Sequence, residues 1–96
     1  MAELILRSPR QRPLRPLIEA AIHNELRILQ TGIRRTEERL RQFEARYSLS
    51  SAEFLRRYEN DEIAETLDLD EWIGEVRMLE RLHEKADTLQ EIRFAN

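Results

Sequence analysis

The sequence predicts an all-α fold: a long two-helix antiparallel hairpin with a short connecting helix and an extended N-terminal arm, dimerising into a helical bundle. Three observations predict it. Apolar residues from Ile22 to Tyr47 recur with alternating steps of four and three, the seam of a helix that packs against another. The chain has only two glycines and three prolines, and all three prolines precede residue 17, so little interrupts the remainder. The composition, 41% hydrophobic and 36% charged, is too apolar for disorder and more charged than a compact domain, as expected of narrow helices with large solvated faces.

Ninety-six residues suffice for one small domain. It divides into an arm, residues 1–16, and a helical hairpin domain, residues 17–96. In the arm, Leu4, Ile5 and Leu6 form a short extended segment that cannot stand alone as a strand. Ser8-Pro9-Arg10-Gln11-Arg12-Pro13-Leu14-Arg15-Pro16 follows, held extended because each proline disfavours helix for its predecessor. Pro16 fits the first turn of a helix, where its missing N–H costs nothing.

The first helix is expected over residues 17–47, with Ile22, Leu26, Leu29, Ile33, Thr36, Leu40, Phe43 and Tyr47 on its seam. Leu17, Ala21 and Ile28 lie beside that seam, widening the apolar face of the first half. Gly32 continues this second stripe, where it either permits close approach of another helix or is simply tolerated at a cost of about 1 kcal/mol. A wide face calls for more than one neighbour. Leu17, Ala21, Ile22, Leu26, Ile28 and Leu29 are therefore the expected interface of a homodimer.

Ser48-Leu49-Ser50 breaks the helix. Ser50-Ser51-Ala52-Glu53 has the capping-box pattern, in which the serine oxygen takes a backbone N–H and the glutamate reaches back. A short helix over 51–59 follows, with Phe54, Leu55 and Tyr58 on one face. Asp68-Leu69-Asp70-Glu71 is read as the cap of the last helix, 69–93, with acids favoured in its first turn. Its inward positions are Trp72, Val76, Leu79, Leu82, Ala86, Leu89 and Ile92 or Arg93. Trp72 is the largest core anchor available.

Composition excludes several function classes. Without cysteine there is no disulfide, thiolate nucleophile or zinc–thiolate site. That absence fits a reducing cytosol, and a cytoplasmic location is expected. The longest apolar runs are too short to span a membrane. The basic residues of the first segment follow its apolar patch, the reverse of a signal peptide. No Gly-rich phosphate loop and no nucleophile setting is visible, so an enzyme is not expected, and neither is a cofactor.

Charge is divided unevenly around a total of −3. Residues 1–47 hold ten arginines against six glutamates, a net +4; residues 48–96 hold six basic residues against thirteen acids, a net −7. We read this as mutual attraction of the two halves in an antiparallel hairpin. The alternative is a basic end that meets an acidic partner or nucleic acid. Arg7, Arg10, Arg12 and Arg15 could track phosphates, but no aromatic residues interleave for base stacking, so nucleic-acid binding is expected to be weak at most.

Glu80-Arg81-Leu82-His83 has the Glu-x-x-His spacing of di-iron carboxylate bundles, and the outline resembles encapsulated ferritin-like proteins that build a metal site across a dimer. The seam of the first helix supplies no opposing glutamates. Glu80 and His83 are thus the candidates of a secondary, metal-binding reading, and no metal is expected. His23, beside Ile22, is read as a boundary residue of the seam.

Arg46-Tyr47-Ser48-Leu49-Ser50-Ser51-Ala52-Glu53-Phe54-Leu55-Arg56-Arg57-Tyr58-Glu59-Asn60-Asp61-Glu62 resembles the helix–break–helix segment of small antitoxin-like proteins of bacteria and archaea. It is similar in particular to the uncharacterised helical partners encoded beside TumE-like toxins. In those, the long helix ends in Lys/Arg-Tyr-Gly and a Ser-x-Glu-Glu-Phe-type cap starts the short helix; Ser48 stands here in place of the usual glycine. The resemblance implies an antitoxin-like or accessory role with a protein partner. Separately, the apolar residues and arginines of the arm, Leu4, Ile5, Leu6, Arg7, Arg10, Arg12, Leu14 and Arg15, are read as a partner contact, since pure linkers rarely need such apolar content.

Overall fold

The structure, a computed structural model, describes residues 1–95. Those residues are all-helical, with three helices and no strand. Helix α1 spans Leu14–Tyr47, α2 Ser51–Glu59 and α3 Leu67–Gln90. Residues 1–13 carry no regular secondary structure.

Helix α1 starts three residues earlier than the sequence predicts. Pro13, with φ −59° and ψ 113°, is its extended N-cap residue, and Pro16 is its third residue. That position still lacks an intrahelical partner for an N–H, so proline is tolerated there. Leu14 and Arg15 therefore belong to the helix and not to the arm.

The break after Tyr47 depends on a left-handed residue. Ser48 has φ 49° and ψ 47°, and Leu49 N–H reaches back to the Glu44 carbonyl at 3.2 Å. This is the Schellman geometry, and Leu49 completes it by packing against the core. A non-glycine residue pays about 1 kcal/mol or more for that conformation. Ser48→Gly should accordingly raise stability by about 1 kcal/mol, read as a higher midpoint in urea at unchanged slope. The end of α2 repeats the device. Asp61 has φ 54°, and Glu62 N–H bonds the Arg57 carbonyl at 2.9 Å.

Caps differ from the expected ones in two places. Ser50 Oγ accepts the Glu53 N–H at 3.1 Å, as expected, but the Glu53 carboxylate turns to Arg56 and Arg57 and does not reach back. The Ser51 N–H is taken by the Glu44 carboxylate of α1 at 2.7 Å, which ties α2 to the helix before it. Helix α3 is capped by Thr66, whose Oγ1 accepts the Leu69 N–H at 3.2 Å, and not by Asp68. It starts two residues earlier and ends three residues earlier than predicted.

Helices α1 and α3 pack antiparallel in a constant register. Phe43 stacks on Trp72, Arg39 Nη1 lies 3.4 Å from Glu75 Oε1, and Gly32 abuts Leu82. The core sits at the loop end. Leu40, Phe43, Phe54, Leu69 and Trp72 form it, with Leu49, Tyr58, Ile63, Ile73, Val76 and Leu79 packed around. Trp72 is fully buried, and its ring lies 4.0 Å from that of Phe54 and 5.6 Å from those of Phe43 and Tyr47, all nearly parallel. Its indole N–H donates to Ser51 Oγ at 3.0 Å, so burial leaves no orphan donor.

Away from this end the layer is thin. Along the seam Leu29, Thr36 and Ala86 are buried, while Ile22, Leu26, Ile33, Leu82 and Leu89 are only partly covered. The predicted inward positions Ile92 and Arg93 are exposed, because α3 has already ended. The chain measures 60 × 25 × 18 Å with a radius of gyration of 19.1 Å, against about 12–13 Å for a compact domain of this length. No described helix is long and apolar enough to cross a membrane.

Candidate functional site: the arm and the open helical face

Two features remain uncovered by the chain itself. The first is the arm. Leu4, Ile5 and Leu6 are exposed, at 81%, 76% and 49% of their full surface. Arg7, Arg10 and Arg12 are exposed beside them, and Arg10 N–H makes a local bond to Ser8 Oγ at 3.2 Å. Arg15 stands apart from the others. It pairs with Glu19 at 2.7 Å and lies over the Phe94 ring at 5.2 Å, which pins the start of α1 to the segment after α3. Leu14 is half-buried there. The structure thus splits the predicted arm contacts. Leu4, Ile5, Leu6, Arg7, Arg10 and Arg12 are exposed on the non-helical segment, whereas Leu14 and Arg15 belong to α1.

The second feature is the open face of the helical layer. Of the predicted dimer residues, Leu17, Ala21 and Ile28 are exposed, Ile22 and Leu26 half-buried. Leu29 is buried within the chain and therefore serves its own core. Met78, exposed on α3, was missed by sequence reading because it lies off the main seam.

The metal candidates do not converge. Glu80 pairs with Arg77 at 3.6 Å and His83 is exposed. Among the described residues no three His, Asp or Glu side chains come together to hold a metal ion. His23 lines a shallow depression on α1 with Glu19, Asn24 and Arg27.

A polar cluster fastens the loop end. Arg46 Nη1 and the Tyr47 hydroxyl both donate to Asp68 Oδ2, at 2.7 and 2.5 Å. The Tyr47 hydrogen bond, and then Arg46, hold the Asp68 carboxyl below its ordinary range. Hydrogen bonding to Asp68 in turn raises the Tyr47 hydroxyl. Hydrogen bonds from Arg56 and then Arg57 lower Glu53 to about 2. Local sequence carries no signal for these contacts, since Asp68 reads there as a helix cap.

These shifts fix the sign of the pH response. A depressed carboxylate stabilises above its unfolded value, near pH 4, and loses that contribution as pH falls through the folded value. Stability should hold from neutral pH to about 5, then fall between roughly pH 4.5 and 2. Asp68→Asn should flatten part of that fall, measured as melting temperature against pH. The Tyr47 contribution has the opposite sign and is lost above about pH 10.

Comparison with protein-family models, curated proteins and solved structures finds no match to this chain.

Proposed function

We propose that this chain is a non-enzymatic helical protein–protein interaction module, dimeric and antitoxin-like in role, whose arm docks on a partner protein. The observation that carries the reading is the arm itself. Three consecutive large apolar side chains, Leu4, Ile5 and Leu6, lie outside the helices and keep about half or more of their surface in solvent, followed by three exposed arginines. Solvated linkers have no use for such residues, and they gain contacts only by joining a sheet edge or lying in a groove. The arginines then steer approach to an acidic surface. The resemblance over residues 46–62 supports a partner of the toxin kind.

Removing residues 2–12 leaves the Pro13 N-cap and all three helices in place. The truncated chain should keep its helical circular dichroism and its oligomeric state, yet lose the protein that co-purifies with the full chain from its source cells. Capture of the same protein by the truncated chain would refute the arm as the contact. Tight, sequence-specific nucleic-acid binding by the full chain at physiological salt would favour a phosphate-tracking arm instead.

A further inference from the structure

The helical layer has two broad faces, and they are unequal. On α1, Leu17, Ala21, Ile28 and Gly32 recur at steps of four, seven and four, so they share one stripe. On α3, Met78, Leu82 and Leu89 recur at steps of four and seven and share another. A Cβ placed on Gly32 would meet Leu82 Cδ1 at 3.4 Å, so the two stripes adjoin across the seam. One heptad further on, Arg39 meets Glu75 on this same side and closes the apolar patch toward the loop end. Leu17, Ile28 and Met78 keep 62%, 57% and 41% of their surface in solvent.

The surface area shows the scale of what is uncovered. The chain exposes 8042 Å², whereas a compact protein of 11.5 kDa exposes about 5,800 Å². Part of that excess is the arm. The whole excess exceeds by more than twofold the ~800 Å² each partner gives to a standard interface.

Charge then selects the occupant and its orientation. Helix α1 carries seven arginines against five glutamates, a net +2; α3 carries three basic residues against seven acids, a net −4. We infer that a second copy of this chain covers the face, with its α1 lying over α3 of the first and its α3 over α1. The two-fold axis then runs along the helices. Every neighbouring pair in the resulting four-helix bundle is antiparallel and opposite in net charge. The alternative two-fold, across the helices, sets α3 on α3 and places like charges together. The inferred axis brings both arms out at the same end, so the dimer presents two arms to one partner assembly. The inference rests on the dimeric reading above and adds the face and the direction.

The chain has no cysteine, so a single introduced one labels cleanly. Light scattering should give a dimer for the full chain, and Ile28→Arg should weaken it about 100-fold, since a charge enters the interface twice. Helicity should be unchanged, because Ile28 is exposed in the single chain. Ala52→Cys, on exposed α2, should give a spin-label separation of about 20–35 Å between copies, set by bundle width and label length. The crosswise axis would separate these labels by roughly 50 Å or more, twice the helix length from the patch to the loop end. A separation of that size overturns the orientation. A dimer indifferent to Ile28→Arg overturns the face but leaves the dimeric reading standing. A folded chain that is monomeric at every concentration overturns both.

Discussion

Replacing Trp72 with alanine should remove about 3–5 kcal/mol of stability, out of the roughly 5–14 kcal/mol expected for a chain of this length. Trp72, on α3, contacts both other helices. Its ring is stacked between residues of α1, Phe43 and Tyr47, and of α2, Phe54, while its N–H holds Ser51 at the first turn of α2. Elsewhere α1 and α3 meet along a thin seam that cannot compensate. The loss should appear in urea titrations followed by circular dichroism at one protein concentration, with helical signal falling as α2 undocks. Trp72→Phe keeps an aromatic ring in the stack but loses the indole N–H and part of the ring area, so its cost should be smaller, about 1–2 kcal/mol. A loss below 1 kcal/mol for Trp72→Ala would show that the aromatic stack is not the centre of the fold.

The stack also shows how far the sequence could be read. The seam of α1 was legible because steps of four and three have few other physical explanations, and Leu29, Thr36, Leu40 and Phe43 are buried as that pattern requires. Trp72 was legible as an anchor because a large apolar side chain on an otherwise charged helix has few places to go, whereas Phe54 was legible only as part of one face with Leu55 and Tyr58. Boundaries were harder to read. Pro16 looks like a first residue but is tolerated anywhere in the first turn, so Leu14 and Arg15 were misassigned to the arm. Asp68 and Thr66 are both good caps in isolation. The choice between them was made by Arg46 and Tyr47, which claim Asp68 across the hairpin and leave the capping to Thr66. Long-range competition of this kind leaves no local trace. The same holds for Arg15, drawn to Glu19 and Phe94, and for Leu29, which looked available to a partner until α3 covered its side of the helix.

The arm forms no helix and is largely exposed, and the functional account depends on it. Leu4, Ile5 and Leu6 are each worth about 1.5–3 kcal/mol when fully buried against a partner. Replacing all three with serine in the full-length chain should therefore weaken partner binding by at least about 100-fold, even if burial is only partial. Melting temperature and helicity should not move, because the three side chains lie outside the helices and keep about half or more of their surface in solvent. Replacing Arg7, Arg10 and Arg12 with glutamine should act differently, slowing association and removing its salt dependence more than it raises dissociation. The most direct measurement is the affinity of the Leu4→Ser, Ile5→Ser, Leu6→Ser chain for the protein that co-purifies with the native one, made beside a melting curve of the same sample. The account predicts lost affinity at an unchanged melting temperature. Native affinity in that triple variant would contradict it and move the contact onto the helices.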